Sequence, residues 1–242
     1  MNNVQHERLT KFPPLVEDIG SLTAMEKSVL AHFILLARPR IIIELGVFHA
    51  VTTQFICEVL IENGLDGRVI GFDLPEVIAE LRQNNEAVQR LEALQRLQLV
   101  PGRLPFSLSA WLSNTTDQFD FALVDATHDY HNVHGELLTL WPHLSADGFI
   151  LCHDYSVKYN GVRYAVDEFA TRKGVACLPV LSSQAAAQAG YSSCLVALRH
   201  KPYRLTIGGL LPHWWRSLKV KLLANPVFNR LWSYVRPLFR QS

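Results

Sequence analysis

Two short segments of this chain each place an acid and a histidine close together in sequence: Asp125-Ala-Thr-His128 and His153-Asp154. A neutral imidazole can remove a proton from a hydroxyl near pH 7. Asp125 and Asp154 could instead share a hard divalent cation through oxygen ligands, acidifying and positioning the same hydroxyl. His128 is the preferred general base; His153 could equally be the base, or could orient a substrate. His131 and His134 follow at helical spacing and are read as a helix start and its partly solvated face, not as further ligands. Two more acids stand out. Glu44, in Ile41-Ile-Ile-Glu-Leu-Gly46, suits a partner with hydroxyl or ammonium donors. Asp73 follows Gly46 by 27 residues and can take both hydroxyls of a ribose. Its bland alternative is a polar strand end capping the next helix.

The elements that must position these groups alternate along the chain. Thr23-x-x-Glu26 is a capping-box pattern ahead of a helix to about Leu36, with Leu30, Phe33 and Ile34 as its buried stripe. Strands are predicted over 40–45, 68–73, 97–100, 119–125 and 149–153, with two last strands near 175–181 and 193–198 around an Ala/Gln/Ser-rich loop. Helices are predicted over 51–63, from Pro75 to about Arg96, and over 107–112, 132–144 and 162–173. Trp141, Leu137, Leu138 and Leu144 are assigned to core packing. Short apolar strands alternating with helices imply an α/β, Rossmann-like, doubly wound and mainly parallel sheet of seven strands. Ligands of such sheets bind beyond the carboxyl ends of the strands. Glu44, Asp73, Asp125 and Asp154 all fall at or just past such ends.

The loop Glu44-Leu-Gly-Val-Phe-His-Ala50 lacks the dinucleotide G-x-G-x-x-G pattern. It resembles the E/D-x-G-x-x-x-G loop of class I S-adenosylmethionine-dependent methyltransferases, with Ala50 in place of the last Gly. Phe119-Asp-Phe-Ala-Leu-Val-Asp-Ala-Thr-His-Asp-Tyr130, Gly148-Phe-Ile-Leu-Cys-His-Asp-Tyr155 and Gly161-Val-Arg-Tyr-Ala-Val-Asp-Glu-Phe169 resemble, in the right order, segments of one branch. That branch, the family 24-like methyltransferases, includes small-molecule and sugar O-methyltransferases. The likeness covers roughly residues 20–200. It implies that Glu44 and Gly46 hold the methionine end of S-adenosylmethionine, Asp73 its ribose, and Gly102 the border of its adenine, with Asp125 also counted at the cofactor. Arg103 stands where many relatives have an acid. His153 stands at an acid position of metal-dependent relatives, which leaves magnesium, a softer cation or none. Tyr130 and Tyr155 either line the acceptor pocket or pack.

The expectation is therefore S-adenosylmethionine-dependent methyl transfer to a hydroxyl of a small metabolite or glycan. Ala50, Arg103 and His153 keep open an alternative: a catalytically silent or repurposed cofactor-binding module of the same fold, docked on a membrane.

Composition sets the remaining bounds. With 49% hydrophobic and 19% charged residues, the chain is globular rather than disordered. No stretch approaches 18 uncharged apolar residues, and the first residues carry charges without an apolar core, so neither a membrane span nor a secretory leader is expected. Cys57, Cys152, Cys177 and Cys194 are scattered, which fits a reduced, cytoplasmic protein. Charge is uneven. Residues 201–242 hold eight basic and no acidic residues, leaving 15 basic and 22 acidic in 1–200. The body is thus −7 and the tail +8. After Gly208-Gly209, apolar stripes (Leu211, Trp214, Trp215, Leu218, Leu222; then Phe228, Leu231, Trp232, Val235) run beside Lys219, Lys221, Arg230 and Arg236. Trp with Lys and Arg on amphipathic helices suits an anionic membrane surface, so residues 209–242 are expected to dock peripherally on the inner face of a membrane. The other reading packs them on the acidic body or on a second copy in a homo-oligomer. No nucleic-acid motif is found. The expected division is an N-terminal segment and cap helix at 1–38, the cofactor-binding domain at 39–200, and the basic tail at 201–242.

Overall fold

The computed structural model describes residues 22–156, 158–180 and 195–200. Thr23 opens α1 (Ala24–Ala37) with a complete capping box: its hydroxyl accepts from Glu26 N–H, and the Glu26 carboxylate accepts from Thr23 N–H at 2.9 Å. Such a box contributes about 1 kcal/mol. Arg38, in the left-handed region, and Pro39 end the helix. The chain then enters the sheet through β1 (Ile41–Leu45), α2 (Val51–Glu62), β2 (Arg68–Asp73), α3 (Pro75–Asn84), α4 (Glu86–Ala93) and β3 (Leu97–Pro101). α5 (Phe106–Ser113), β4 (Phe119–Val124), α6 (Tyr130–Leu140), β5 (Leu144–Cys152) and α7 (Asn160–Lys173) follow, then β6 (Leu178–Pro179) and β7 (Val196–Leu198).

The seven strands lie in the order β3-β2-β1-β4-β5-β7-β6. β1 to β5 pair in parallel, and β7 and β6 add antiparallel at one edge. The doubly wound, mainly parallel, seven-stranded expectation holds. β1 is buried throughout, as a central parallel strand should be. Its Ile41, Ile43 and Leu45 face a core shared with Phe72, Phe119 and Phe169 and with the apolar sides of α5, α6 and α7. The opposite face is covered by α1, α2 and α4. Asp120 sets the sheet's far end by accepting from the backbone of Arg40 (2.8 Å) and Ile41 (3.3 Å).

Three local expectations change. The single helix from Pro75 to Arg96 is two, because Asn85 leaves helical geometry (φ −117°, ψ 99°) and caps α4 by accepting from Val88 N–H. α6 stops at Leu140, where Trp141-Pro-His143 tightens into a 3-10 turn, and β5 starts at Leu144, five residues early. Leu138 is 46% exposed and so lies outside the core that takes Leu137, Trp141 and Leu144. The loop at 181–194 and the segments 1–21 and 201–242 lie outside the described residues. No described helix is long and apolar enough to cross a membrane.

Glu136 shows the cost of unpaired burial. It sits fully buried on α6, and neither carboxyl oxygen has a hydrogen-bond partner among the described residues. Burial, helped by the charge of Asp129, pushes its pKa up to about 8. A carboxyl whose folded pKa lies above its unfolded value contributes full stability below about 4.5, and loses it as pH rises toward 8. Glu136→Gln should therefore match the wild type near pH 5 and exceed it at pH 8.5 by about 1–3 kcal/mol, several degrees in melting temperature. Thermal melts at both pH values check this; equal gains at both would remove the ionisation from the account.

Candidate active site at the carboxyl ends of the strands

The parallel ladder does not stop with the strands. Gly46 N–H donates to Phe72 O (3.0 Å), Asp125 N–H to Leu45 O (2.9 Å), His153 N–H to Val124 O (3.0 Å) and Gly102 N–H to Asp73 O (2.9 Å). These bonds bring the first residues past β1 to β5 onto one rim. Gly46 has φ +90°, and a Cβ there would stand 2.3 Å from Asp125 O, so the loop can pass only without a side chain. Phe48 (φ +47°) and Ala50 (φ +61°) are also left-handed. Ala50 is the N-cap of α2 and makes no side-chain cap bond. A left-handed residue with a Cβ costs roughly 1–2 kcal/mol, which is the physical reason a Gly is favoured at this position.

Asp73 braces this loop. Its Oδ2 accepts from Val47 N–H (2.9 Å) and Phe48 N–H (2.8 Å), and its Oδ1 from Leu74 N–H (2.7 Å). A carboxylate offers about four acceptor directions, so Oδ1 retains room for one more donor. Gly102 (φ +146°) packs against Ser107, at the start of α5, where its Cβ would meet the serine Cβ at 2.7 Å. Glu44 is the penultimate residue of β1, fully buried on the α2 side, below the mouth rather than on it. Burial first, then Asp125 and Asp73, raise its pKa to about 8. Thr53 draws it down somewhat without a formed bond: neither Glu44 oxygen nor the Thr53 hydroxyl has a partner among the described residues.

On the other half of the rim, His153 is almost enclosed by acids. Nδ1 lies 2.8 Å from Asp125 Oδ1 and 3.3 Å from Asp154 Oδ2, and Nε2 lies 3.2 Å from Glu26 Oε1. Burial alone would lower its pKa; the charge and hydrogen bond of Asp125, with Asp154 and Glu26, hold it well above the usual imidazole range. His128 is different. Its side chain is 45% exposed, its Nε2 lies 2.7 Å from Asp154 Oδ2, and its ring stacks on Tyr159 at 4.3 Å. Asp154 itself is held at φ +55°. Gly161, in the first turn of α7, lets that helix close against the His128 carbonyl, where a Cβ would stand 2.3 Å away.

Of the residues singled out in the sequence, Asp125, His128, His153 and Asp154 form one cluster, and one ligand atom each from Asp125, His128 and Asp154 lie within 4.8 Å of one another. Glu44, Gly46, Asp73 and Gly102 form the adjoining half. His131 is exposed, and the Tyr130 ring stacks on His134 at 5.4 Å. The Tyr130 and Tyr155 hydroxyls donate to Glu168 and Asp167 of α7, so both brace that helix. Two residues escaped the sequence reading. Glu26 shows a local capping signal, but its contact with His153 spans 127 positions. Tyr159 carries no motif at all.

Residues 43–155 match the family model described as a methyltransferase domain. No curated protein matches the chain. Among solved structures, the O-methyltransferase of Bacillus cereus in complex with S-adenosylhomocysteine is 18% identical with a TM-score of 0.59, over 76% of this chain and 84% of that one. TomG of Streptomyces achromogenes, in complex with S-adenosylmethionine, is 17% identical with a TM-score of 0.57, over 77% and 92%. CalS11, a TDP-rhamnose 3′-O-methyltransferase, is 17% identical with a TM-score of 0.58, over 74% and 81%. At such identities these structures speak for the fold, and the family match falls on the segments that build the rim. Residues 43–155 thus match a methyltransferase domain, and the chain has the fold of the class I S-adenosylmethionine-dependent methyltransferases.

Proposed function

We propose that this protein transfers the methyl group of S-adenosylmethionine to a hydroxyl of a small hydroxylated metabolite or glycan. The observation that carries the reading is the His128–Asp154 pair, an exposed imidazole fixed by a buried carboxylate beside the cofactor half of the rim. The cofactor's fit is supported by the close approach that Gly46 alone permits, by the unpartnered Glu44 carboxyl beneath it, and by the free acceptor direction on Asp73 Oδ1. In this reading Glu44 and Gly46 receive the methionine end, Asp73 the ribose and Gly102 the adenine border, with Asp125 closing the gap between cofactor and acceptor.

The bound cofactor supplies an electrophilic methyl group. The chain supplies alignment and proton removal. Asp154 accepts from His128 Nε2–H, which leaves Nδ1 as the basic nitrogen. Stacking on Tyr159 holds the ring plane. His153 has both ring nitrogens turned to carboxylates, so it serves as the positive partner that organises Asp125 and Asp154, and His128 is the base.

A second reading has a specific basis: Asp125, His128 and Asp154 would hold a divalent cation between them. An imidazole in the set suits a transition ion better than magnesium. Such an ion would take the His128 nitrogen and acidify the acceptor hydroxyl directly.

The tail fits a further proposal, that residues 209–242 dock on an anionic membrane and bring the enzyme to a lipid-linked or surface glycan. Its support is the +8 charge of the tail and its Trp-bearing stripes.

Asp73→Ala should weaken S-adenosylhomocysteine binding at least tenfold in calorimetric titration. His128→Ala should leave that affinity within about twofold and lower turnover by 10²–10⁴ across a panel of hydroxylated sugars and phenols; wild-type turnover in this variant would remove His128 from the mechanism. Turnover that survives chelation supports His128 alone, whereas loss restored by added manganese or magnesium supports the cation. Deletion of 209–242 should abolish sedimentation with phosphatidylserine-containing vesicles; unchanged sedimentation would sink membrane docking by the tail.

A further inference from the structure

Glu44 is the one rim carboxyl that is fully buried and has no hydrogen-bond partner among the described residues for either oxygen. The other acids of the rim are answered. Asp73 has three backbone donors, and Asp125, Asp154 and Glu26 share the His153 ring. A carboxylate buried without donors or a counter-charge is far costlier than a carboxylic acid in the same place. The groups facing Glu44 make the charge harder still to hold. Asp73 at the end of β2 and Asp125 just past β4 are negative neighbours, and α2 contributes the Thr53 hydroxyl and the Cys57 thiol. Burial and Glu44 itself push that thiol up, so it does not offer a proton in its place. On α1, which packs over α2, the buried charged groups are Lys27 and Glu26, and Glu26 is turned to Thr23 and His153.

A ligand that brings positive charge to this end of β1 changes the balance. S-adenosylmethionine and its demethylated product both carry an ammonium on the methionine end, and the former adds a sulfonium. We propose that Glu44 is neutral before the cofactor arrives and ionises when it is seated, so that cofactor capture expels one proton through this residue. The inference rests on the cofactor reading given above and assigns Glu44 a task within it: the charge that answers the incoming cation is created at the moment of binding, not stored in the empty fold.

The sign follows from linkage. Binding that releases a proton strengthens as pH rises, up to the pKa of the releasing group, and then levels off. With Glu44 at about 8, affinity should rise close to tenfold from pH 6.5 to 7.5 and flatten above about 8.5. The same protonation keeps the central strand free of a buried charge until it is needed.

The test is calorimetric titration of the full chain with S-adenosylhomocysteine at pH 7.0 in buffers of different ionisation enthalpy, repeated with Glu44→Gln. Gln is nearly isosteric with the neutral acid, so the variant should fold, and circular dichroism and melting temperature verify that it does. We expect the wild type to release more than about half a proton. Glu44→Gln should still bind, with an enthalpy independent of buffer and an affinity that no longer rises from pH 6.5 to 7.5. Wild-type binding without proton release would overturn this inference while leaving the cofactor reading intact, as would unchanged release in Glu44→Gln. Failure of the folded wild type to bind would overturn both.

Discussion

Five carboxylates converge on one end of a parallel sheet, and the cost of keeping their charge out of water is the constraint to which the rest of the rim answers. An ionised acid in a low-dielectric interior needs donors or an opposite charge. Two solutions appear side by side. Asp73 takes three backbone N–H groups, which requires the first loop to wrap closely and so requires Gly46. Asp125, Asp154 and Glu26 use one buried imidazole, which must then sit directly after β5 and beside α1. Glu44 uses neither. Its neighbours leave it unanswered, and the proton is the simplest remaining compensation.

Much of this was legible in the chain. Alternating apolar strands and helices implied the sheet, and the acids and glycines at predicted strand ends marked the rim, because strand ends and loops carry local composition signals. What failed was of two kinds. Asn85 resets one helix boundary by capping inside a helix-rich stretch, and Pro142, a breaker within the expected helix, sets the other. The role of Glu26 was hidden for a different reason. Its local signal was true, since it does cap α1, but its second oxygen reaches a histidine 127 residues away, and no spacing rule encodes a contact made by the fold. Burial was hidden in the same way: Glu44 and Glu136 look like ordinary strand-end and helix acids, and only packing reveals that neither has a partner among the described residues.

Three of the five left-handed non-glycine positions among the described residues lie on the rim, and the other two, Arg38 and Gln95, precede β1 and β3. Phe48, Ala50 and Asp154 take left-handed conformations that a Cβ disfavours, and all three lie in loops just past β1 or β5. The ladder bonds at Gly46, Asp125 and His153 extend the sheet beneath them and give the strained turns a fixed base. Ala50, which stands where the resembled loop pattern has its last Gly, takes the left-handed conformation at a cost of roughly 1–2 kcal/mol.

The two histidines show how environment divides roles between identical side chains. His153 is enclosed, with acids at both ring nitrogens, and the surrounding carboxylates hold its pKa well above the usual imidazole range. His128 is half exposed, with one nitrogen given to Asp154 and the other available. In the proposed reaction the acceptor hydroxyl would meet the second kind, because His128 is the more exposed of the two. The pair also explains why a cation and a base compete here. An ion held by Asp125, His128 and Asp154 must share both carboxylates with His153 and must take the nitrogen that Asp154 now fixes. With His153 already supplying positive charge to that cluster, the electrostatic demand for a metal is smaller than two adjacent carboxylates alone would create. That favours proton removal by His128 as the simpler use of the same atoms.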